Sequence, residues 1–264
     1  MLVRPATPLD YLAVAKLFPE LMTPDVFPSL ERWTAEFLPY TDVLEERDEV
    51  VGYLHTQVLG DLGYVRQLVI DPRMRRKGYA RALMVHARER FATLGRHTWC
   101  LNVKPDNAAA VSLYESLGMR VAYPSNAMDL LWEKVAPTSS RTEIRTFEAE
   151  DDAVLERAFS IPRGLIASNR VKPDRVYLKA ILPDAGHGEN VVGVAVFDRA
   201  FPGVYPLSST EPSFALDLLA AARPYARPSD TFVRILCEDA RLSDALLGIG
   251  ATVTLKLLHY RGTV

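Results

Sequence analysis

The chain of 264 residues contains one internal repeat. The segment VRPATPLDYLAVAKLF at 3–18 is echoed by IRTFEAEDDAVLERAF at 144–159, an offset of 141 residues. At the same offset, VVGYL at 50–54 falls on VVGVA at 191–195. Two matches at one offset indicate duplicated units of similar fold.

The repeat predicts two domains, at residues 1–136 and 143–264, with a Pro, Thr and Ser-rich linker near residues 135–142. Hydrophobic periodicity in the first copy predicts an α/β order of strands and helices. We expect strands at 2–5, 42–46, 50–58, 63–70 and 97–103, helices at 8–18, 30–37, 79–94 and 108–117, and strand pairing over 119–135. The second copy has the same order in shortened form. We therefore predict an α/β fold with a mixed central sheet flanked by helices in each domain.

Charge and cysteine content exclude several classes of protein. The formal net charge of −2 gives no overall attraction to nucleic acid or anionic membrane. Cys100 and Cys237 lie far apart in apolar stretches, and no metal-ligand spacing occurs, so we expect neither disulfide nor metal. No run reaches the roughly 18 apolar residues of a membrane span, and no secretion signal precedes Arg4. These observations predict a cytoplasmic protein without a membrane partner.

One dense basic cluster, MRRKGYARAL at residues 74–83, lies between a predicted strand and a predicted helix. The N–H groups of a first helical turn lack intrahelical partners, and the helix dipole adds positive charge there. Gly78 permits close backbone approach, so the loop suits an anion and above all a phosphate. The alternative is a solvated basic helix start. The chain has neither the G-x-x-x-x-G-K-[ST] nor the G-x-G-x-x-G signature of nucleotide-binding loops.

The pattern Arg75-Arg76-Lys77-Gly78-Tyr79-Ala80 resembles the Q/R-x-x-G-x-G/A loop of the GNAT superfamily of acetyl-CoA-dependent N-acyltransferases. The later segment LNVKPDNAAAVSLYESLGM at 101–119 resembles the second signature of that family, and its similarity to ribosomal-protein alanine N-acetyltransferases is close. The resemblance covers roughly residues 1–135. It implies two GNAT-like domains, each with a mixed, mostly antiparallel sheet.

The resemblance also implies acetyl-CoA as cosubstrate. It assigns the pyrophosphate to the loop, the pantetheine arm to the backbone of one strand, and a further coenzyme contact to one asparagine. The residues concerned are Leu68, Val69, Ile70, Arg75, Arg76, Lys77, Gly78, Tyr79, Ala80, Arg81 and Asn107.

Tyr114 is the candidate catalytic acid. The helix has Asn107 or Asp106 as its N-cap and ends at Gly118, and its spacing places Tyr114 beside the apolar stripe, so the ring is expected to lean out of the core. A phenol with a pKa near 10 is protonated at neutral pH and can protonate a leaving thiolate. The family's usual candidate acid occupies this position. The alternative is a tyrosine that only packs against the sheet.

The chain departs from the family where the alanine acetyltransferases have a basic glutamate, because Asn102 stands there and cannot accept a proton. Other candidate bases are His55, Glu45, Glu46 or a water relay. For His55 we favour a purely structural role in its strand.

The second copy lacks both signatures. No basic loop follows VVGVAVFD at 191–198, and alignment of SLYESLG at 112–118 with DALLGIG at 244–250 places Leu246 over Tyr114. We expect a degenerate acetyltransferase fold, and the repeat resembles that of tandem two-domain acetyltransferases such as mycothiol synthases. This second domain could form one side of the acceptor cleft, bind a regulator or mediate formation of a homodimer.

The function predicted from the sequence is transfer of an acetyl group from acetyl-CoA to a primary amine of a small molecule or peptide by direct attack. One alternative is a non-catalytic acyl-CoA sensor, for which the absent glutamate argues. A nucleic-acid partner is not expected, because no stacking aromatic residues beyond Tyr79 accompany the basic cluster.

Overall fold

The computed structural model describes residues 1–23, 25–138, 141–172, 174–183 and 189–264. The first half contains β1 (Leu2–Pro5), α1 (Tyr11–Leu17), α2 (Leu30–Arg32), β2 (Thr41–Glu46), β3 (Glu49–Leu59), β4 (Leu62–Ile70), α3 (Tyr79–Thr93), β5 (Thr98–Val103), α4 (Ala108–Ser116) and β6 (Arg120–Leu131). The second half contains β7 (Glu143–Thr146), α5 (Asp152–Ala158), α6 (Leu165–Arg170), β8 (Arg175–Leu182), β9 (Asn190–Asp198), β10 (Gly203–Ser209), α7 (Pro212–Ala222), β11 (Phe232–Cys237), α8 (Ala240–Gly248) and β12 (Thr252–Thr263). The predicted α/β fold is confirmed.

The two halves follow the spacing of the sequence repeat. Strands β7, β9 and β10 each begin 141 residues after β1, β3 and β4. Strand β11 begins 134 residues after β5, because the connection between strand and helix before it is shorter in the second half. The strand pairing predicted over 119–135 is present in part: β6 pairs with β11 from Asn126 to Leu131, and a 3-10 turn follows at Trp132–Lys134.

Two compact units make up the structure. Unit 1 comprises residues 1–103, 107–121 and 260–264, and unit 2 comprises residues 104–106 and 122–259. These ranges differ from the predicted domains because Met128, Leu130 and Trp132, in and after β6, are buried in the core of unit 2. The end of β12 belongs to unit 1. The division of the sequence into an active and a degenerate domain stays a prediction.

The predicted linker falls partly on Ser139 and Ser140, which lie outside the described residues. On either side of them, Thr138 and Thr142 both hydrogen-bond to the carboxylate of Asp217 in unit 2, at 2.8 Å and 2.7 Å. The described part of the segment is therefore attached to unit 2.

In unit 1, β1, β2, β3 and β4 form an antiparallel series, and β5 runs parallel to β4. The end of β12 lies beside β5, where the Val264 N–H donates to the His97 carbonyl at 3.0 Å. Helix α3 packs along β3 and β4 with one buried face, formed by Leu83, Met84, Ala87 and Phe91. A second cluster of buried side chains surrounds Trp33 and Tyr53.

Unit 2 has the same plan. Strands β7, β8, β9 and β10 are antiparallel, β11 runs parallel to β10, and β6 pairs antiparallel with β11. Helix α7 is buried almost along its whole length, including Phe214, Leu218 and Leu219, and packs on β8 and β9. No helix in the described ranges combines the length and the apolar character needed to cross a membrane.

Candidate functional site

The loop after β4 has a backbone shape determined by two left-handed residues. Asp71 accepts the Arg73 N–H at 2.9 Å and starts the 3-10 turn Pro72–Met74. Arg76 and Gly78 then adopt φ angles of +63° and +83°, and α3 begins at Tyr79. A Cβ on Gly78 would meet nothing within 4 Å, so the backbone is open to an approaching group on that side. The position favours glycine for its φ angle.

The start of α3 provides unpaired backbone donors. The Ala82 N–H donates to the Gly78 carbonyl at 3.0 Å, so the N–H groups of Tyr79, Ala80 and Arg81 precede the helical ladder. Gly78 has no side chain that could cap them. Three N–H groups and the positive end of a 15-residue helix therefore face the loop.

The cations of the loop differ in whether they already contact other protein groups. Arg73 forms an ion pair with Asp71 at 2.7 Å, and this guanidinium lowers the pKa of the carboxyl to about 2. Arg75 contacts Glu20 at 2.6 Å and the Ile70 carbonyl at 3.2 Å. Among the described residues, Arg76 makes no hydrogen bond or ion pair, and its side chain is exposed. Arg76 is thus the cation of the loop most accessible to an external anion.

Three further side chains predicted for the site also have protein partners. The Lys77 ammonium lies 3.4 Å from the Met74 sulfur, and Arg81 donates to the Ser116 hydroxyl at 2.6 Å. The Tyr79 hydroxyl donates to Glu46 at 2.5 Å, and this hydrogen bond raises the pKa of the phenol. These contacts hold α3 in place, whereas the backbone of the same segment stays open.

Strands β4 and β5 separate beside this loop. Their register runs from Leu62 opposite Thr98 to Val65 opposite Leu101, and stops there although β4 continues to Ile70. The register of β4 with β3 shifts at the same place, between His55 and Thr56. The sequence alone could not reveal this opening.

The opening exposes backbone donors of β4. The Asp71 N–H donates to the Val51 carbonyl of β3 at 2.9 Å. Alternation in an antiparallel ladder then directs the Val69 N–H toward β3 and the N–H groups of Leu68 and Ile70 toward the opened edge. Of the three predicted strand residues, two therefore present donors to the gap.

Helix α4 begins and ends as predicted but presents Tyr114 differently. Asn107 is its N-cap and accepts the Ala110 N–H at 3.2 Å, and the helix ends before Gly118. The expectation that Tyr114 leans out of the core is wrong, because its side chain is only 7% exposed. Burial raises the pKa of Tyr114 to about 12.

Tyr260, which sequence reasoning missed, packs beside Tyr114 and contributes to this burial. Its ring lies 6.2 Å from the Tyr114 ring, and its hydroxyl donates to Glu115 at 3.2 Å. Both tyrosines belong to unit 1 although they lie 146 residues apart in the sequence. No local sequence signal identified Tyr260, because its contact with Tyr114 joins residues far apart in the sequence.

Asn102 and the three candidate basic side chains all contact other protein groups. Asn102 donates to the Tyr64 hydroxyl at 2.8 Å. His55 is buried, with Nδ1 3.0 Å from the Thr41 hydroxyl, which agrees with the structural role favoured for it. Glu45 pairs with Arg4 at 2.8 Å, and Glu46 accepts from Tyr79. A water relay stays open as the route for the proton of the acceptor.

Unit 2 keeps the opened strands and lacks the loop. The register of β10 with β11 stops at Val204 opposite Ile235, whereas β10 continues to Ser209. Only Thr210 and Glu211 connect β10 to α7, and Leu246 is fully buried in α8. The described part of unit 2 therefore has no basic loop between β10 and α7 and no tyrosine at the position aligned with Tyr114.

Comparison with known proteins gives three kinds of match. Residues 10–119 match the model of the acetyltransferase (GNAT) family. Over 75 residues the chain is 37% identical to the [ribosomal protein bS18]-alanine N-acetyltransferase of Salmonella typhimurium, covering 28% of this chain and 51% of that protein. The chain thus spans about half the length of the curated relatives it matches.

Solved structures resemble the whole chain. A GCN5-related N-acetyltransferase from Sphaerobacter thermophilus superposes with a TM-score of 0.72 at 20% identity, covering 99% of this chain and 95% of the other. A tandem GNAT protein from the clavulanic acid biosynthesis pathway gives a TM-score of 0.63 at 15% identity, covering 97% and 94%. At these identities the similarity shows the fold.

Proposed function

We propose that residues 10–119, which match the acetyltransferase (GNAT) family, act as an acetyltransferase domain, and that the chain transfers an acetyl group from acetyl-CoA to a primary amine. The observation that carries the proposal is the opening of β4 from β5 directly before the loop at the start of α3. An extended thioester arm fits the opened strands, and its pyrophosphate fits the loop.

The pyrophosphate is held by charge and by backbone donors. The N–H groups of Tyr79, Ala80 and Arg81 and the exposed guanidinium of Arg76 offer hydrogen bonds to phosphate oxygens. Gly78 lets the phosphate approach the backbone closely. Lys77 adds positive charge to the loop. Arg75 links the loop to the end of β4 by donating to the Ile70 carbonyl. Asn107, the N-cap of α4, contacts the coenzyme.

The acetyl group is activated in the gap between the strands. The N–H groups of Leu68 and Ile70 point toward the opened edge and can donate to the thioester carbonyl oxygen. Donors aimed at this oxygen stabilise the negative charge that develops when the amine attacks. The amine nitrogen bonds to the carbonyl carbon, and the C–S bond then breaks as the tetrahedral intermediate collapses.

Tyr114 supplies the proton for the leaving group. Because burial raises its pKa to about 12, the phenol is protonated throughout the neutral range and can donate to the coenzyme thiolate. The acceptor amine loses its proton to water. The reaction needs no covalent enzyme intermediate, and Cys100 is buried and unsuited to attack.

The acceptor is a primary amine of a small molecule or of a peptide. The curated relatives act on an alanine of a ribosomal protein, which supports a peptide amino group as one acceptor. Asn102 distinguishes this chain from the family pattern in which a glutamate takes the proton.

Acetyl-CoA binding to the purified chain, measured by calorimetry, tests the proposal. We expect one site per chain, and we expect Arg76→Ala to weaken binding about tenfold because a charged hydrogen bond to phosphate is lost. Arg73→Ala is the matched control: it removes an arginine already paired with Asp71, so binding should change less than about twofold. Absence of binding, or equal effects of the two substitutions, would contradict the proposal.

A non-catalytic acyl-CoA sensor is the second candidate, favoured by Asn102, which cannot accept a proton at the position where the resemblance implies a glutamate. The two functions differ in turnover. An acetyltransferase releases free coenzyme thiol when supplied with a panel of primary amines and amino-terminal peptides, whereas a sensor binds acetyl-CoA without release.

A further inference from the structure

A cavity of about 240 Å³ opens in unit 2 where β10 separates from β11. Three segments form its walls: the loop between α5 and α6, the second half of β10, and the turn from β11 into α8. The lining residues used below are Ile161, Leu165, Tyr205, Ser208, Glu238 and Leu242.

The cavity has an apolar floor. Ile161, Leu165 and Leu242 are 8%, 2% and 4% exposed, and each lines the cavity. An occupant with an aliphatic or aromatic body removes the remaining apolar surface from water, which favours binding.

The β10 wall provides backbone donors. The Thr210 N–H donates to the Val192 carbonyl at 2.9 Å, and Ser208 lies opposite Val194 on β9. Alternation in the ladder therefore directs the N–H groups of Leu207 and Ser209 toward the opened edge. These donors suit a carbonyl oxygen of an occupant.

The rim is negatively charged. It contains Glu238, Asp239 and a single cation, Arg241, which lies 3.5 Å from Asp239. Asp239 also caps α8 by accepting the Leu242 N–H at 3.0 Å. Glu238 accepts from the Tyr205 hydroxyl at 3.4 Å, so a carboxylate and an aromatic ring adjoin at one end of the cavity. This pairing suits an ammonium group.

The segment between β10 and α7, next to the cavity, argues against a phosphorylated ligand. The connection between β10 and α7 consists of Thr210 and Glu211, so a carboxylate occupies the position where unit 1 has its basic loop. The carboxylate of Glu211 would repel the pyrophosphate of a coenzyme.

We propose that this cavity is a binding site for a small primary amine that carries an apolar side chain and a carbonyl group. Glu238 and Tyr205 hold the ammonium group, the N–H groups of β10 hold the carbonyl oxygen, and the apolar floor holds the side chain. The site is independent of the acetyl-transfer function proposed above and needs no coenzyme.

L-phenylalaninamide titrated into the full chain without acetyl-CoA tests the proposal. Calorimetry is expected to give one binding site per chain. Glu238→Gln should lower the affinity of that site about tenfold by removing the negative charge that pairs with the ammonium group. The matched probe N-acetyl-L-phenylalaninamide, which lacks the positive charge, should bind about tenfold more weakly than the amine to the unsubstituted chain.

Two further variants separate this site from unit 1. Ser208→Phe fills the cavity from its wall and should abolish amine binding, while retained acetyl-CoA binding shows that the chain is folded. Arg76→Ala should weaken the binding of acetyl-CoA and leave the affinity for L-phenylalaninamide unchanged. Glu238→Gln should have the reverse effect. The proposal is wrong if the amine does not bind at about 10 mM, if Glu238→Gln and Ser208→Phe leave its affinity unchanged, or if the acetylated probe binds equally well.

Discussion

At the scale of single residues, the burial of Tyr114 determines what it can do. A phenol that is 7% exposed and packed against Tyr260 has a pKa raised to about 12, so it is a proton donor and not a base at any physiological pH. In the proposed reaction it therefore acts only on the departing thiolate.

Tyr114→Phe should lower kcat about a hundredfold or more, because the leaving thiolate loses its proton donor. Acetyl-CoA affinity should stay within about threefold, since the ring and its packing are kept. Steady-state coenzyme release and calorimetry measure the two quantities. Tyr260→Phe is the control, because it removes only the hydroxyl that donates to Glu115. A Tyr114→Phe enzyme with unchanged kcat would exclude the assigned role.

The pH dependence follows from the raised pKa. A group that titrates near pH 12 stays protonated below that value, so the acid form of Tyr114 is fully present up to about pH 10. We expect kcat/KM to rise with pH as the acceptor amine loses its proton and then to level off without an alkaline decline below pH 10. A decline centred near pH 8 or 9 would mean that another group is the acid.

Local signals predicted part of the site. Gly78 and Asn107 could be assigned because a left-handed residue before a helix and an asparagine N-cap depend on neighbouring residues only. The exposure of Tyr114 could not be predicted from the spacing within α4. Its ring is covered by Tyr260, and the hydrogen bond from Tyr260 to the adjacent Glu115 spans 145 residues of sequence.

At the scale of elements, the two halves of β4 have different roles: the first half pairs with β5, and the second half separates from it. Its first half pairs with β5 and supports α3, with Gly63 directly beneath the Phe91 ring. Its second half leaves β5 and presents donors to the gap. Strand bounds were predicted within a few residues from hydrophobic pattern, whereas the end of pairing at Val65 depends on a partner strand and had no local signal.

Gly63→Ala should destabilise unit 1 by about 1–3 kcal/mol, because a Cβ there would lie 2.4 Å from the Phe91 ring. Denaturant unfolding followed by far-UV circular dichroism measures the change. Gly248→Ala at the end of α8 is the control: a Cβ there meets nothing within 4 Å, and alanine should stabilise the helix by about 0.5 kcal/mol. Equal unfolding midpoints for the two variants would contradict this packing argument.

At the scale of the whole molecule, the repeat in the sequence and the compact units in space do not coincide. The duplication predicted the same order of strands in both halves, and each unit contains four antiparallel strands followed by one parallel strand. The repeat could not give the assignment of β6 residues to unit 2 and of residues 260–264 to unit 1, because the matched segments at 3–18 and 50–54 do not reach either strand.

A chain that ends at His259 should therefore lose acetyl-CoA binding, although it keeps the whole basic loop and α4. Removal of residues 260–264 exposes Tyr114 and leaves the His97 carbonyl without the Val264 N–H. Calorimetry of the shortened chain measures the loss. Val264→Ala is the control, since it keeps the backbone donor. Unchanged affinity in the shortened chain would show that unit 1 is complete without this segment.

The end of β12 also determines when unit 1 can be completed during translation. The segment that covers Tyr114 emerges after about 140 further residues, which at ribosomal rates of 5–20 residues per second takes on the order of ten seconds. Throughout that interval β5 lacks its neighbour on one side, and an unpaired strand edge is a template for pairing with other chains. The domain synthesised first is the one that finishes folding last, so slow translation of the second half prolongs the period in which nascent chains can aggregate.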